Sequence, residues 1–313
     1  MSIVTLTMNP AIDVSAAVAR VLPAHKLRCT SVRHDAGGGG INVARVITRL
    51  GGEVRAIYPV GGPIGELLRR LVLVDAETVN SDTITLSQNT RESFTVNEEE
   101  TGNQYRFVLP GPELTDHECG RCFSAVAQMR PAPNFFVASG SLPKGVPDDF
   151  IARSTQIAKT LGAKVVVDTS GPALAAALEE GVYLVKPSLR ELQELVGSPL
   201  DRREQQLTAA RNLIEKEAAK VVALTLGRHG GLLVTQGQAC YAPALQVTPV
   251  TAVGAGDSFL GAMVWSLDAE ETIENAFCYG IAAGSAALLS AGTGLCRAED
   301  VRRLYPEVHL QSL

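Results

Sequence analysis

The amino-acid sequence predicts an α/β fold in which a doubly wound, mostly parallel sheet carries a small β-sheet lid. Short runs rich in β-branched residues recur along the chain: SIVTLT, VRAIYPV, NFFVAS, AKVVVD, VYLVK and KVVALTL. These runs are nearly continuous rather than alternating, which is typical of strands buried on both faces of a parallel sheet. Between them, apolar residues follow helical spacing, as at Val43, Val46, Ile47 and Leu50. We therefore expect helices to cover both faces of the sheet.

Two regions, about 12–36 and 83–109, break this rhythm. Polar and apolar residues alternate there, as in TITLS, ESFTV and QYRFVL. We expect antiparallel strands that stand apart from the main sheet as a lid, within a single domain spanning residues 1–313. A sheet of few strands has an apolar face that needs cover, either over a substrate cleft or against a second subunit. We therefore also expect a homodimer joined through the lid.

Composition and charge exclude several classes of protein. Of the 313 residues, 46% are apolar and 19% charged, which is the profile of a globular protein rather than of a disordered chain. The formal net charge of −5 argues against a nucleic-acid binder, which needs a concentrated positive face. The start MSIVTLTMNP has no signal-peptide features, and no apolar stretch is long enough to span a bilayer, so we expect a soluble, cytoplasmic protein without membrane partners.

The six cysteines suggest no disulfide framework. Cys119 and Cys122 have CxxC spacing, but no second pair completes a zinc site, and the context HECGRCFSAV indicates a helix. We interpret them as ordinary reduced thiols.

A glycine-rich turn before a helix is the first candidate for chemistry. Residues 251–259 have the sequence TAVGAGDSF and precede the helical run LGAMVWSL. Small residues let the backbone close on an anion, and the N–H groups at a helix start point towards it. Asp257 would there take a proton from a hydroxyl that attacks a phosphorus atom held by those N–H groups. The alternative is that Asp257 only caps the helix.

A second glycine cluster, residues 37–40, directly precedes Ile41 and Asn42. Four glycines let a polar ligand approach the backbone, and the Asn42 amide would bond hydroxyls. No lysine follows as in a P-loop, and the polar stretch SVRHDA before it does not fit a dinucleotide fingerprint. A flexible loop without function is the remaining alternative.

The two clusters, GGGGINVARVITRLGG and VGAGDSFLGAMV, together resemble the two signatures of the ribokinase (PfkB) family of carbohydrate kinases. Further matches lie in order at Asn9–Asp13, Ser139–Pro143, Asp168–Gly171, Val185–Pro187 and Thr225–Gly230. The resemblance covers essentially the whole chain and implies a ribokinase-like fold and ATP-dependent phosphorylation of a sugar.

The resemblance also implies roles for individual residues. Asp257 would be the catalytic base, with the amides of Gly254, Ala255 and Gly256 as the anion hole. Sugar would bind to Asp13, Gly38, Gly39, Asn42 and Ser139, and the nucleotide to Lys186, Ser188, Thr225, Gly227, Gly230 and Gly284. Glu191 would position Mg²⁺ through water, and K⁺ would lie among Thr251, Val253, Ala287, Ser290 and Gly292.

Two departures from the family pattern stand out. The N-x-x-E motif has Ser188 in place of Asn, although Glu191 is kept. Serine reaches less far to a metal-bound water, so we expect altered handling of magnesium. The second is Thr251-Ala252 in place of a more polar pair, a minor change where the cation contacts are mainly from the backbone.

Within the family, the loop GGGGIN and the segments HKLRCT and QYRFVLPGPEL look most like the minor 6-phosphofructokinases. Fructose 6-phosphate is thus the expected substrate, with tagatose-6-phosphate kinase and 1-phosphofructokinase as alternatives. We expect Lys26, Arg28 and Arg91, placed in the lid strands, to converge on the sugar phosphate. The alternative is that they are ordinary surface charges.

Two different classes of function remain as competitors. A catalytically silent sugar-binding regulator would have lost the base or the anion hole, and the sequence keeps both. A nicotinamide-dependent oxidoreductase would need a strand–GxGxxG–helix unit, which we do not find.

Overall fold

The computed structural model describes residues 2–75, 79–250, 253–290, 292 and 294–313. Its strands are β1 Ile3–Leu6, β2 Ala11–Val18, β3 Thr30–Gly37, β4 Val54–Val60, β5 Asn80–Thr85, β6 Arg91–Glu98, β7 Gln104–Val108, β8 Phe135–Ser139, β9 Lys164–Asp168, β10 Val182–Val185, β11 Ala219–Thr225, β12 Gly231–Thr235, β13 Ala239–Ala242 and β14 Gln311–Ser312. Its helices are α1 Gly39–Arg49, α2 Gly62–Asp75, α3 Asp116–Ala127, α4 Phe150–Thr160, α5 Gly171–Glu179, α6 Leu189–Val196, α7 Arg203–Glu215, α8 Ala255–Asp268, α9 Ile273–Ala287 and α10 Ala298–Leu304.

A ten-stranded sheet runs through the centre of the molecule in the order β14-β13-β12-β11-β10-β9-β8-β1-β4-β5. The seven strands from β11 to β5 are parallel, and β12 to β14 form an antiparallel edge. All six apolar runs of the sequence lie in parallel strands, so the predicted doubly wound sheet is confirmed. The antiparallel edge was not predicted.

Adjacent residues of one strand pack into opposite layers of the core. Val4 and Leu6 of β1 contact one apolar cluster, whereas Ile3 contacts the other. Phe136 and Phe135 of β8 divide in the same way. Side chains alternate between the faces of a strand, so a strand covered by helices on both sides needs apolar residues at every position.

Helices α1 and α8 pack against each other closely enough to bring their N-terminal ends together. Gly261 of α8 lies against Val46 of α1, where an added Cβ would be 2.8 Å from the valine Cβ. The helices begin at Gly39 and Ala255, so each starts within one of the two glycine clusters. The N-terminal ends of α1 and α8, each with its glycine cluster, therefore lie close together.

The lid is a separate four-stranded sheet in the order β3-β2-β6-β7. Two details of its prediction were wrong. Residues 83–85 belong to β5, which pairs with β4 as the edge of the central sheet and alternates because only part of it is buried. The lid is also mixed rather than purely antiparallel, since β2 and β6 run parallel.

The segment between β2 and β3, residues 19–29, is not part of the lid strands. It contains Lys26 and Arg28, both exposed. Their predicted placement in strands was therefore wrong. Turn-forming residues such as Pro23 interrupt the alternation that strands require.

Cys119 and Cys122 both lie on α3, as the sequence indicated. Both are buried, and burial raises the pKa of Cys122 to about 12, which keeps it a protonated thiol. Among the described residues, no group of three or more His, Cys, Asp or Glu side chains is arranged to hold a metal ion. The same part of the chain has no helix long and apolar enough to cross a bilayer.

Candidate active site

A cavity of about 340 Å³ opens between the carboxyl ends of the parallel strands and the lid. In open α/β sheets ligands bind at this edge, since loops from several strands meet there. Predicted residues that line the cavity are Asp13, Gly38, Gly39, Asn42, Arg91, Ser139, Glu191, Val253, Gly254 and Asp257. Residues that site prediction missed include Ser93, Arg106, Asp168 and Thr169.

Asp257 occupies the first turn of α8, recessed in this cavity. The helix cap itself is Gly254, in the left-handed region at φ 79°, so Asp257 is not the capping residue. Its Oδ2 accepts a hydrogen bond of 2.8 Å from Asn42 Nδ2 on α1. Burial raises the pKa of Asp257, opposed by the Asn42 bond and by nearby Lys186.

The glycine loop lies directly on two of the predicted substrate-binding side chains, those of Asp13 and Ser139. A Cβ on Gly37 would collide with the Asp13 carboxylate, and a Cβ on Gly39 would collide with Ser139 Oγ. Within the described chain, Ser139 Oγ is buried and has no hydrogen-bond partner, so it is available to bond a ligand in the cavity. The loop is thus packed in place, and these glycines are required for the close approach of backbone to side chain.

Lys186 follows β10 and reaches the first turn of α8. Its ammonium forms an ion pair of 3.0 Å with Asp168 at the end of β9, and both side chains are largely buried. Nζ would lie 3.6 Å from a Cβ on Gly256. Burial lowers the pKa of Lys186, but the carboxylates of Asp168, Glu191 and Asp257 together more than offset this, so the pKa is raised and the lysine stays charged.

The lid contributes a carboxylate and two guanidinium groups to the cavity. Asp13 of β2, Arg91 of β6 and Arg106 of β7 all line it. Burial raises the pKa of Asp13 to about 6, and Arg106 and Arg91 oppose this rise. Arg91 is oriented by donating to the carbonyls of Asn9, at 3.1 Å, and Leu109, at 3.3 Å.

Lys26 and Arg28 do not line the cavity of their own chain. Asp13 lies at the end of β2 that is next to the cavity, and the segment 19–29 starts at the opposite end of that strand. Residue 19 is six residues from Asp13, which corresponds to roughly 20 Å in an extended strand. The described fold does not bring these two cations to Arg91.

Most of the predicted nucleotide residues continue along the same edge of the sheet. Ser188 caps α6 and forms a capping box with Glu191: Glu191 N–H donates to Ser188 Oγ, and Ser188 N–H donates to Glu191 Oε2 at 2.7 Å. Thr225 pairs with Ser188 across an isolated bridge. The remaining predicted nucleotide residues are Gly227 and Gly230, which enclose a turn after β11, and Gly284, which faces the Ala255 carbonyl from α9.

The predicted K⁺ residues come from two adjacent segments. Val250 N–H donates to the Leu288 carbonyl at 2.7 Å, which joins the approach to α8 with the end of α9. Ala287 and Ser290 lie in that end turn, and Gly292 lies beside Ser15 of the lid. Thr251 lies outside the described residues.

A larger groove lies at the opposite end of the sheet, among the amino ends of β9 to β11. Its charged residues, such as Lys164, Lys216 and Lys220, are exposed to solvent. Solvated surface charges of this kind do not form a site for chemistry. The candidate active site is therefore the smaller cavity under the lid.

Comparison with known proteins supports the same conclusion. The chain is 43% identical over 303 residues to the ATP-dependent 6-phosphofructokinase isozyme 2 of Mycobacterium tuberculosis, covering 97% of this chain and 88% of that protein. It is 31% identical over 310 residues to the 1-phosphofructokinase of Xanthomonas campestris, covering 97% and 94%.

Solved structures of phosphofructokinase-2 from Escherichia coli superpose on nearly the whole fold. The complex with potassium has a TM-score of 0.92 at 38% identity, and the complex with fructose-6-phosphate has 0.91 at 37%; each match covers 97% of this chain and 98% of the other. A tetrameric inhibited form of that protein also matches, with a TM-score of 0.91. The sequence profile of the pfkB family carbohydrate kinases matches residues 3–300. The chain thus belongs to the pfkB family of carbohydrate kinases.

Proposed function

We propose that the protein transfers the terminal phosphoryl group of ATP to the 1-hydroxyl of fructose 6-phosphate, giving fructose 1,6-bisphosphate. The observation that carries this proposal is the shared cavity in which the Asp257 carboxylate, at the start of α8, faces Asp13 and two lid arginines. A base beside an anion hole serves phosphoryl transfer, and paired guanidinium groups serve a phosphorylated sugar. The resemblance to 6-phosphofructokinases at 43% identity supports the choice of sugar.

In this mechanism Asp13 and Asn42 bind sugar hydroxyls, while Arg91 and Arg106 bind the 6-phosphate. Asp257 takes the proton of the 1-hydroxyl as that oxygen attacks phosphorus. Its burial-raised pKa makes it a better proton acceptor than an exposed carboxylate. The amides of Gly254, Ala255 and Gly256 at the start of α8 stabilise charge on the transferred group, and Lys186 adds its positive charge beside Gly256.

The residues present fit both expected cations. Glu191 lines the cavity with one carboxylate oxygen bonded to the α6 cap, so its other oxygen would hold a water of Mg²⁺, which neutralises phosphate charge when bound. The C-terminal end of α9 at Ala287, with Ser290 in the turn that follows it, presents the negative end of a helix dipole and carbonyl oxygens. Together with Val253, Gly292 and Thr251 it would hold K⁺.

A panel of sugar phosphates tests the assignment. Purified protein with ATP and Mg²⁺ is offered fructose 6-phosphate, tagatose 6-phosphate, fructose 1-phosphate and fructose, and product is measured directly. We expect the highest kcat/KM with fructose 6-phosphate. Preference for fructose 1-phosphate, the substrate class suggested by the relative at 31% identity, would overturn the choice of sugar. Sugar binding without turnover would support the silent regulator.

Replacing the base gives the first prediction. Asp257→Asn keeps the shape of the side chain and loses the proton acceptor, so we expect turnover to fall by at least ~10²-fold while sugar and nucleotide still bind. Calorimetric titration measures binding, and a steady-state assay measures turnover. Near wild-type turnover would remove Asp257 from the chemistry.

The lid arginines give the second prediction. A charge-assisted contact to phosphate contributes roughly 1.5–3 kcal/mol, so Arg91→Ala and Arg106→Ala should each raise KM for fructose 6-phosphate about 10- to 150-fold. KM for ATP should change little, and the poor activity on unphosphorylated fructose should not fall further. Arg20→Ala, an exposed arginine just beyond the end of β2 and outside the cavity, is the control. Equal losses on fructose would show that Arg91 and Arg106 only maintain the lid.

The raised pKa of Asp13 gives a third prediction, on stability. Above pH 6 Asp13 is ionised in the folded protein, and burial of this charge lowers the free energy of unfolding. The loss of stability becomes smaller as the pH falls from 6 towards 3.8, the ordinary pKa of aspartate. Asp13→Asn should therefore stabilise the protein at pH 7.5, by at most about 3 kcal/mol, and about half as much at pH 5.

Chemical denaturation at the two pH values measures this difference, and the same variant should bind fructose 6-phosphate more weakly. A variant with unchanged or lower stability at pH 7.5 would contradict the interpretation that the ionised Asp13 carboxylate destabilises the fold.

The outer face of the lid gives the fourth prediction, a homodimer. Phe94 and Phe107 are cross-strand neighbours that are 38% and 55% exposed, and Val32 on the same face is 58% exposed. Such a cluster needs cover, so we expect a dimer by analytical ultracentrifugation at micromolar concentration and a shift to monomer in Phe107→Glu. Val196→Glu, an exposed apolar site on α6, is the control. A fully active wild-type monomer would contradict the prediction.

The same lid contact bears on Lys26 and Arg28. Lys26 and Arg28 do not reach the cavity of their own chain. We propose that, if they bind substrate, they bind substrate held in the cavity of another copy of the chain. Wild-type KM for fructose 6-phosphate in Lys26→Ala and Arg28→Ala would show that they are ordinary surface charges. The tetrameric form of the Escherichia coli relative is compatible with such an assembly built from dimers.

A further inference from the structure

Arg45 of α1 is among the largest fully buried side chains of the protein, at 1% exposure. Arginine is seldom buried unless its guanidinium is held by several acceptors. Nη1 donates to the Ala36 carbonyl at 2.6 Å and to Asn42 Oδ1 at 3.0 Å. The buried cation thus joins the end of lid strand β3 to the residue that contacts the proposed base.

The bond from Arg45 determines which way the Asn42 amide faces. A guanidinium only donates hydrogen bonds, so the amide atom turned towards it is the oxygen. The amide nitrogen is then turned towards Asp257 and donates to Oδ2 at 2.8 Å. With the amide reversed, two oxygen atoms would face each other at Asp257. Arg45 therefore keeps one carboxylate oxygen bonded and leaves Oδ1 free of Asn42.

The second acceptor connects Arg45 to the substrate loop. Ala36 is buried and immediately precedes Gly37, which rests on the Asp13 carboxylate. One guanidinium nitrogen therefore holds both the entry of the glycine loop and the amide of Asn42. Replacement of Arg45 would therefore remove both bonds at once.

Charged groups from several elements face the Asp257 carboxylate. The cations are Arg45 on α1, Lys186 after β10 and Arg106 on β7, and the carboxylates are Asp13 on β2 and Asp168 on β9. Arg45 is the one of these cations that also bonds Asn42. It approaches from behind the amide, inside the protein, and not from the substrate side.

We propose that Arg45 is a positioning residue for phosphoryl transfer, which acts through Asn42 to orient the carboxylate of Asp257. This rests on the proposed role of Asp257 as the base. Arg45 does not touch the substrate in this proposal, so its removal should lower kcat more than it raises KM for ATP or for the sugar.

The experiment uses the full chain and whichever sugar phosphate the wild-type protein phosphorylates, so that a wrong sugar and a wrong role for Arg45 are told apart. Arg45→Met removes charge and donors at similar length. We expect kcat to fall by roughly 10-fold or more and the acid limb of its pH profile to move up by about one pH unit, since loss of a nearby positive charge raises a carboxyl pKa. Arg45→Lys, which keeps the charge, should retain the wild-type limb.

Arg49→Met is the matched control, one helical turn further along α1, where Arg49 donates to the Cys296 carbonyl outside the cavity. A double-mutant cycle with Asn42→Ala tests the route: in that background Arg45→Met should cause little further loss of kcat. Additive losses, or an unchanged acid limb in Arg45→Met and in Arg45→Gln, would overturn the proposal. Failure of both neutral variants to fold would also overturn it, because it would assign Arg45 to the fold instead.

Discussion

The close packing of α1 on α8 is the constraint on which the rest of the site depends. Gly261 leaves no side chain between the helices, so Val46 rests directly on the α8 backbone. Only at that separation does Asn42, one turn into α1, reach Asp257, one turn into α8. Each glycine cluster lines the cavity and also begins a helix, and the contact between Gly261 and Val46 fixes how the two helices are oriented. The geometry of the proposed base is thus set by core packing one helical turn away from it.

Charge in the cavity is balanced across elements that are distant in sequence. The carboxylates Asp13, Asp168 and Asp257 converge there, although burial makes each less stable as an anion. Lys186 and two lid arginines provide the compensating charge, and a bound phosphate would in turn engage those arginines. The lid and the central sheet therefore share one electrostatic network, in which the pKa of each carboxylate depends on charged groups of other elements.

The sequence predicted the parallel strands well because burial on both faces leaves a local pattern in each of them. It predicted Asn42, Ser139 and Asp257 as site residues, because glycine clusters and family motifs flag them. It missed Arg106, although the strand pattern contains a signal. Val108 is paired with Ser93, and Ser93 is paired with Asp13, so these three side chains lie on the same face of the lid. Arg106 is two residues before Val108 on β7 and therefore points to that face as well. Using that signal requires the register of three strands, which no local pattern supplies. The antiparallel edge β12 to β14 and the inward course of Arg45 depend likewise on tertiary contacts.

The capping box of α6 changes the meaning of the serine at position 188. Ser and Asn are both strong N-caps, so the exchange preserves the start of the helix whatever it does to a metal-bound water. Glu191 lines the cavity, and the Ser188 N–H holds its Oε2 in place before any cation arrives. A cation would then meet a ligand whose rotamer entropy was lost during folding rather than on binding. What looks in the sequence like a weakened metal motif is, in the folded chain, a helix terminus that holds a carboxylate ready.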